Sequence, residues 1–406
     1  MRLSTGRGNR ALLFRIPSVA IIILILLSFS LFSCGNSELT AEIVGRWDYS
    51  FPPGIEGVPD RYYDPEGGLI DAYPVTSAEI DGETYLILGF PSHTGRYSTC
   101  YLIFDTEDPF SPQLISMITP EQPGERGVIA DSCAVSGNIL YSFLFGEKGL
   151  WLVDISDPSN PVDLGIVPVE ATRNLMVADG IAYASGQFYD GVTIVDVSDI
   201  ENIREIARID LTSRDCFLEV CDGYLYVGIG QTLTVYDVSD PACPEMLCNY
   251  ELNVPEGLVR EFPFWDPESE MDESPWANLA NIIDLLSYGN YLFVTFGAGQ
   301  LRVIDVSDPA NPEEVNDFEL GGFVIAMTLR GDTLYVTKSG NEAVTVQLCL
   351  VDVSQPESPR LMDSVDTESM FGFGGASMAY MWWCPLIIGD YIYIPGVNYM
   401  DIVEVR

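Results

Sequence analysis

Apolar and polar positions along the chain recur in one short pattern, an apolar β-branched run followed by an acidic turn. The clearest copy is LRVIDVSDPANP at 301–312, with near-copies at 150–161, 233–244 and 348–359 and looser ones at 101–112 and 192–203. The apolar run predicts a buried strand, and Ser-Asp-Pro predicts a turn because Asp bonds nearby backbone and Pro fixes φ. Recurrence of this unit predicts a repeat architecture.

A second marker precedes each copy: a tight-turn dipeptide followed, three residues on, by an aromatic residue. The aromatic residues are Tyr85, Tyr141, Tyr183, Tyr226, Phe293, Tyr335 and Tyr393, and the dipeptides are Asp-Gly, Gly-Asn or Gly-Asp. Such dipeptides between apolar runs indicate β-hairpins. Seven turns, each followed by a strand of the repeat, predict seven units.

Each unit divides into four short strands; in the third unit we predict strands at 174–178, 181–185, 192–197 and 203–209. Units of about 40–50 residues with four antiparallel strands are typical of propeller blades. The fold class is therefore all-β, a single seven-bladed β-propeller. The last unit ends at Arg406 without an outer strand, and residues 42–48 resemble the other outer strands. We predict that this N-terminal strand closes the ring.

The pattern Leu-x-Val-x-Asp-Val-Ser-Asp-Pro-x-x-Pro resembles that of the LVIVD-repeat proteins, which are bacterial secreted or surface proteins. The resemblance covers about residues 70–406. It implies a β-propeller, and it brings no catalytic motif, since the repeated residues belong to the scaffold.

The N-terminal segment has the composition of an export signal. Four arginines within residues 1–17 precede an almost wholly apolar run at 18–32, which predicts a signal peptide over 1–33. The sequence Leu31-Phe32-Ser33-Cys34 resembles the lipobox of bacterial lipoproteins. That resemblance implies a lipid on Cys34, a tether at 34–40, a propeller at 41–406, and the outer membrane or cell surface as location. An uncleaved anchor helix is the alternative.

The net charge limits the classes of partner that the protein can bind. The formal net charge is −41, from 60 acidic and 19 basic residues, which excludes nucleic acid as a partner.

The chain has nine cysteines, eight of which follow Cys34. In an exported protein these thiols either form disulfides or stay buried and free. His93 is the only histidine, so a zinc site is not expected.

Topology predicts where binding occurs. In a four-stranded meander the first and third turns lie on one face, here called the turn face, and both are nearly invariant among the repeats. The opposite, variable face carries the connections that differ in length and sequence, and binding residues are expected there. It includes His93 and Arg96. Arg126, Arg173 and Arg214 each precede an inner strand, and they either converge on an anion or pair with local carboxylates.

An acidic insertion at 254–281 belongs to the same face. Asp266, Glu268, Glu270 and Asp272 make calcium binding possible, but the EF-hand spacing is absent, and a solvated loop is the alternative. The repeated aspartates at strand ends suggest either a ring of calcium ligands or caps for the following turns. We favour caps because the residue occurs once in each unit.

The sequence therefore predicts a membrane-anchored binding or interaction module for an unknown protein or glycan, with no cofactor expected and no catalytic residue. The alternative is a calcium-dependent hydrolase of esters or lactones with its site in the central channel. No nucleophile elbow, P-loop or dinucleotide fingerprint supports an enzyme.

Overall fold

Seven four-stranded antiparallel sheets make up the fold. The computed structural model describes residues 39–48, 75–90, 100–120, 129–145, 149–169, 174–186, 189–211, 213, 216–252, 280–339, 345–370, 384–395 and 399–406. Residues 40–406 belong to one compact unit. Among the described residues, no helix is long and apolar enough to cross a membrane.

The sheets follow one another along the chain as blades, each running from an inner to an outer strand. Blade 1 contains β2 (Val75–Ile80), β3 (Glu83–Phe90), β4 (Cys100–Asp105) and β5 (Gln113–Ile118), and β1 is described below with blade 7. Blade 2 contains β6 (Ile129–Ser136), β7 (Ile139–Phe145), β8 (Gly149–Asp154) and β9 (Val162–Pro168). Blade 3 contains β10 (Leu175–Ala178), β11 (Ile181–Gly186), β12 (Tyr189–Asp196) and β13 (Arg204–Asp210), with a 3-10 turn at Ile200–Asn202.

The remaining blades repeat the arrangement. Blade 4 contains β14 (Phe217–Cys221), β15 (Tyr224–Ile229), β16 (Thr232–Asp237) and β17 (Glu245–Glu251). Blade 5 contains β18 (Ile282–Tyr288), β19 (Tyr291–Phe296), β20 (Gln300–Asp305) and β21 (Glu313–Glu319). Blade 6 contains β22 (Val324–Arg330), β23 (Thr333–Ser339), β24 (Thr345–Asp352) and β25 (Arg360–Met370). Blade 7 contains β26 (Leu386–Ile388), β27 (Tyr391–Pro395), β28 (Tyr399–Val405) and, as its outer strand, β1 (Ala41–Asp48).

The N-terminal strand closes the ring, as the sequence predicts. β1 pairs antiparallel with β28 from Ala41 opposite Val405 to Asp48 opposite Tyr399. Its register shifts between Ile43 and Gly45. The other six blades show a register shift at the corresponding place between their third and fourth strands. β1 is therefore a true fourth strand, because it reproduces even the bulge of its counterparts.

The inner hairpin turns take two forms that follow from their sequence. In the Asp-Gly turns both central residues have positive φ, as at Asp179 (51°) and Gly180 (76°), which corresponds to a type I′ turn. In the Gly-Asn and Gly-Asp turns only the glycine is positive, as at Gly289 (57°). That pattern corresponds to type II′. Both turn types match the twist of the flanking strands, which explains why both occur at one position of the repeat.

Apolar side chains fill the seams, by which we mean the boundaries between adjacent blades. At the seam between blades 7 and 1, Trp47 of β1 packs edge-to-face on Phe104 at 4.9 Å between ring centroids. Tyr393 lies in the same cluster, and its hydroxyl donates to the carbonyl oxygen of Pro109 at 2.6 Å. The corresponding aromatics Tyr141 and Tyr226 likewise pack against the following blade. The aromatic residues that follow the tight turns therefore join adjacent blades at these positions.

Candidate functional site

The residues that the sequence singles out for binding lie outside the described part of the chain. They are His93, Arg96, Arg126, Arg173, Arg214, Asp266, Glu268, Glu270, Asp272 and the lipidation candidate Cys34. Their roles therefore remain predictions. The described strand ends do establish which connections share a face. Each inner strand and each third strand runs towards the turn face, so residues 91–99, 121–128, 170–173 and 253–279 connect strand ends on the variable face.

On the turn face, the strand-ending aspartates cap the turns. Each accepts the backbone N–H two residues further on: Glu107 to Asp105 (2.7 Å), Ser156 to Asp154 (2.8 Å), Ser198 to Asp196 (3.2 Å), Ser239 to Asp237 (2.9 Å), Ser307 to Asp305 (2.8 Å) and Ser354 to Asp352 (3.0 Å). These bonds confirm the capping interpretation. The carboxylates serve the scaffold, as Asx turns do.

A second layer of caps was not anticipated. The aspartate of Ser-Asp-Pro also accepts an N–H two residues on, as from Ala310 to Asp308 (3.2 Å) and from Ser159 to Asp157 (3.1 Å). The signal was present in the sequence, because Asp before Pro is a common first residue of a turn. In each of blades 1 to 5, two carboxylates are thus occupied by backbone donors.

The caps are reflected in the acidity of the repeated carboxyls. The hydroxyl and N–H of the following serine lower the pKa of Asp196, Asp237 and Asp352 below the ordinary value. For Asp305, the N–H of Ser307 is the main cause of the lowered pKa. A carboxylate that accepts hydrogen bonds is stabilised in its charged form.

Two carboxylates in the inner strands have a different environment. Glu219 of β14 accepts the backbone N–H of Ser287 of β18 at 2.8 Å, and also its hydroxyl. Asp284 of β18 accepts the N–H of Met327 of β22 at 2.7 Å and that of Leu285 at 2.9 Å. Each carboxylate therefore links its own blade to the next blade beside the central channel.

Burial raises the pKa of both groups. For Asp284 the value rises to about 7, because desolvation and the nearby Glu219 outweigh the two N–H bonds. The pKa of Glu219 is raised mainly by desolvation, against the two bonds from Ser287. Sequence reasoning missed both residues. The available signal was a single acidic residue inside an otherwise apolar inner strand, FLEVC and IIDLLSY.

Cysteines and metal ligands add no further site. The eight cysteines from Cys100 to Cys384 are all free thiols. Of the two open alternatives, the structure therefore shows free thiols. Across the ranges that the structure describes, no group of three His, Cys, Asp or Glu side chains is placed to hold a metal ion.

Comparison with known sequences identifies the repeat. Four segments match the sequence profile of the LVIVD repeat, at residues 127–168, 216–251, 283–319 and 322–367. The chain is an LVIVD-repeat protein. The four LVIVD matches coincide with blades 2, 4, 5 and 6. Blade 3, which has Asp-Ile in place of Asp-Pro, folds in the same way without a match. A comparison with curated proteins gives no match.

Solved structures share the fold of this LVIVD-repeat protein at low sequence identity. The β-propeller domain of Cps50 (Swd1) from Myceliophteria thermophila has a TM-score of 0.52 at 12% identity, over 83% of this chain and 97% of that one. A functionally unknown protein from Desulfotomaculum acetoxidans gives 0.51 at 9%, over 73% and 85%. The computationally designed Ika8 protein gives 0.50 at 11%, over 85% and 98%. At such identities the likeness concerns the propeller fold alone.

Proposed function

We propose that this LVIVD-repeat propeller is a membrane-anchored, extracytoplasmic binding module whose ligand, a protein or a glycan, docks on the variable face. The difference between the two faces of the propeller supports the proposal. On the turn face the repeated carboxylates are occupied by backbone N–H groups. The opposite face carries the connections that differ between blades, and recognition is expected where a rigid scaffold presents diverse loops.

The point at which the chain enters the propeller fits this assignment. Thr40 and Arg406 exchange two backbone hydrogen bonds, of 2.9 and 3.0 Å, at the start of β1 and the end of β28. β28 ends at the turn face, so its antiparallel partner β1 begins there. Thr40 therefore lies on the face opposite the proposed docking face.

Three predicted binding residues are arginines, and they indicate the chemical class of the ligand. Arg126, Arg173 and Arg214 precede the inner strands of blades 2, 3 and 4, which are neighbours in the ring. In a chain with only 19 basic residues, three guanidinium groups at adjacent inner strands favour a carboxylate or phosphate on the ligand. His93 and Arg96 belong to the connection of blade 1 on the same face.

The anchor is tested by replacing Cys34 with Ala in the full chain. We expect the wild-type protein in the membrane fraction, with an intact mass that includes a lipid, and the variant outside it. A wild-type protein of unmodified mass would contradict lipid anchoring and leave the docking face untouched.

The docking face is tested by two matched triple variants of the mature protein on a glycan array and on purified surface polysaccharides. Replacing Arg126, Arg173 and Arg214 with Ala removes three positive charges from the variable face. The control replaces Arg204, Arg330 and Arg360, which lie at turn-face ends of strands. We expect loss of binding only in the first variant; equal loss in both would contradict the assignment.

A calcium-dependent hydrolase remains the alternative prediction, and no observation favours it. Calorimetric titration of the chelated mature protein with calcium checks it directly. Heat of binding together with a rise in melting temperature would revive this alternative.

A further inference from the structure

Five consecutive blades, blades 3 to 7, are joined beside the channel by side chains that bond the main chain of a neighbouring blade. Asn174 donates to the carbonyl oxygen of Cys216 across the seam between blades 3 and 4. Glu219 and Asp284 span the next two seams. The thiol of Cys384, just before β26, donates to the carbonyl oxygen of Met327 at 3.3 Å. The inner strands between blades 3 and 7 are thus held by polar bonds as well as by apolar packing.

The two carboxylates satisfy donors that strand pairing leaves open. An inner strand has a partner on one side only, so alternate N–H groups along its other edge lack a ladder partner. Leu285, Ser287 and Met327 are such positions, and carboxylates accept all three N–H groups. A buried N–H without an acceptor is costly, so these bonds account for acids in strands that are otherwise apolar.

Asp284 occupies the centre of this arrangement, and among the described residues no cation contributes to its raised pKa. Glu219 and Cys384 are the titratable groups that act on it among the residues described, and neither carries positive charge. Asp284 is partly buried, and both of its carboxylate oxygens accept backbone N–H groups. A negative charge there is disfavoured by desolvation and by Glu219, and only the N–H bonds offset that cost.

We propose that Asp284 is a proton-binding switch in the propeller wall, which makes the seam between blades 5 and 6 tighter in mild acid than in mild alkali. The sign follows from linkage. Burial raises the pKa of Asp284 in the folded state to about 7, from an ordinary value of 3.8. Between these two values the folded state holds a proton that the unfolded state has lost. The free energy of unfolding therefore falls as the pH rises through this window.

The opposite behaviour is expected of the turn caps. Their pKa values are lowered, so their contribution to stability is complete above the ordinary carboxyl pKa and is lost only as the pH falls below it. The two effects occupy different pH ranges. A change in stability between pH 5 and 8 therefore does not come from the caps.

The test compares melting temperature against pH, from 5 to 8.5, for the mature protein, Asp284→Asn and the control Glu313→Gln. Glu313 is an exposed acid at the start of β21, so its substitution changes the net charge equally without entering a seam. We expect the wild-type and Glu313→Gln curves to fall in parallel with rising pH. Asp284→Asn should be less stable in acid and lose a pH-dependent drop on the order of 5 °C. Parallel curves for all three proteins would overturn the proposal.

A second variant separates titration from a merely structural role. Glu219→Gln removes the neighbouring negative charge while keeping one acceptor for Ser287, so the midpoint of the wild-type drop should move to lower pH. An unchanged midpoint would count against the proposal. If Asp284→Asn fails to fold, hydrogen exchange at the Met327 amide in the wild-type protein decides the question. Its opening free energy should fall between pH 6 and 8, and a constant value would overturn the switch.

Discussion

Asp305 shows how one repeated residue acts as a scaffold group. Its carboxylate accepts the N–H of Ser307 at 2.8 Å, and that bond lowers its pKa. The same geometry recurs at Asp105 and Asp237 in other blades. A residue that performs one structural task in each blade does not by itself mark a binding site, even though its recurrence makes it the most visible feature of the sequence.

Substitution of Asp305 tests the cap at the residue scale. Asp305→Ala removes the acceptor for the Ser307 N–H, and we expect a loss of about 1 kcal/mol in the free energy of unfolding. Asp305→Asn keeps a carbonyl oxygen and should lose much less. Urea denaturation of both variants provides the comparison, and equal losses would mean that charge rather than capping matters.

The third strand carries one position that varies in chemistry from blade to blade and faces the outer strand. Arg302 of β20 pairs with Glu314 at 2.9 Å and lies 5.3 Å from the centroid of the Phe296 ring. In blade 7 the charges are reversed, because Asp401 of β28 pairs with Arg46 of β1 at 2.8 Å. The closing strand is therefore matched to its site by charge as well as by shape.

Removal of one partner of the closing pair should be costly. Arg46→Met leaves the fully buried Asp401 without this cation. We expect a loss of about 2–3 kcal/mol, below the range for fully buried pairs, because Arg46 is about one-third exposed. Arg46→Met combined with Asp401→Leu should recover part of the loss. A double-variant cycle in urea checks this, and strict additivity would contradict direct pairing.

At the scale of elements, most of the fold could be predicted from the repeat. The third-unit strands observed at β10 to β13 lie within a few residues of the predicted ranges, because turn chemistry fixes both ends of each hairpin. The closing strand was predictable since residues 42–48 share the outer-strand pattern. Because the same structural unit occurs several times in the sequence, each copy is an independent check on the predicted strands.

The roles of Glu219 and Asp284 could not be predicted in the same way. Each accepts hydrogen bonds from a strand more than 40 residues away. Which blade a side chain faces depends on the register and twist of the sheet, and one sequence does not specify that geometry. A lone acid in an apolar strand was the available signal, and it indicates an unusual environment without naming the partner. The conformations of the binding loops could not be predicted for another reason, which is that the loops do not repeat from blade to blade.

A close approach between two backbones limits one loop on the variable face. Gly299, between β19 and β20, has φ of +85°, and a Cβ there would lie 2.3 Å from the carbonyl oxygen of Gly322. Gly299→Ala should therefore lower the free energy of unfolding by about 3 kcal/mol. Gly321→Ala is the matched control, since φ is +65° but no atom lies within 4 Å of its Cβ. Thermal melts should show the smaller loss in the control, and equal losses would rule out the steric explanation.

At the scale of the whole molecule, seven blades form one ring only if the last blade is completed by the first strand. Apolar clusters link successive blades, and the cluster at the closing seam includes Trp47 of β1 itself. Ala41 also donates its N–H to Asp363 of blade 6 at 2.8 Å. β1 thus contacts blade 1 and blade 6, the two blades that flank blade 7, and the ring depends on β1 for cooperative folding.

Deletion of residues 41–50 from the mature chain tests this dependence most directly. The intact chain should unfold in one cooperative thermal transition that circular dichroism and tryptophan fluorescence report at the same temperature. The deletion should abolish that transition, and adding a peptide of residues 39–50 should restore it. Thermal unfolding of the deletion variant that matches the intact chain would contradict closure of the ring by the N-terminal strand.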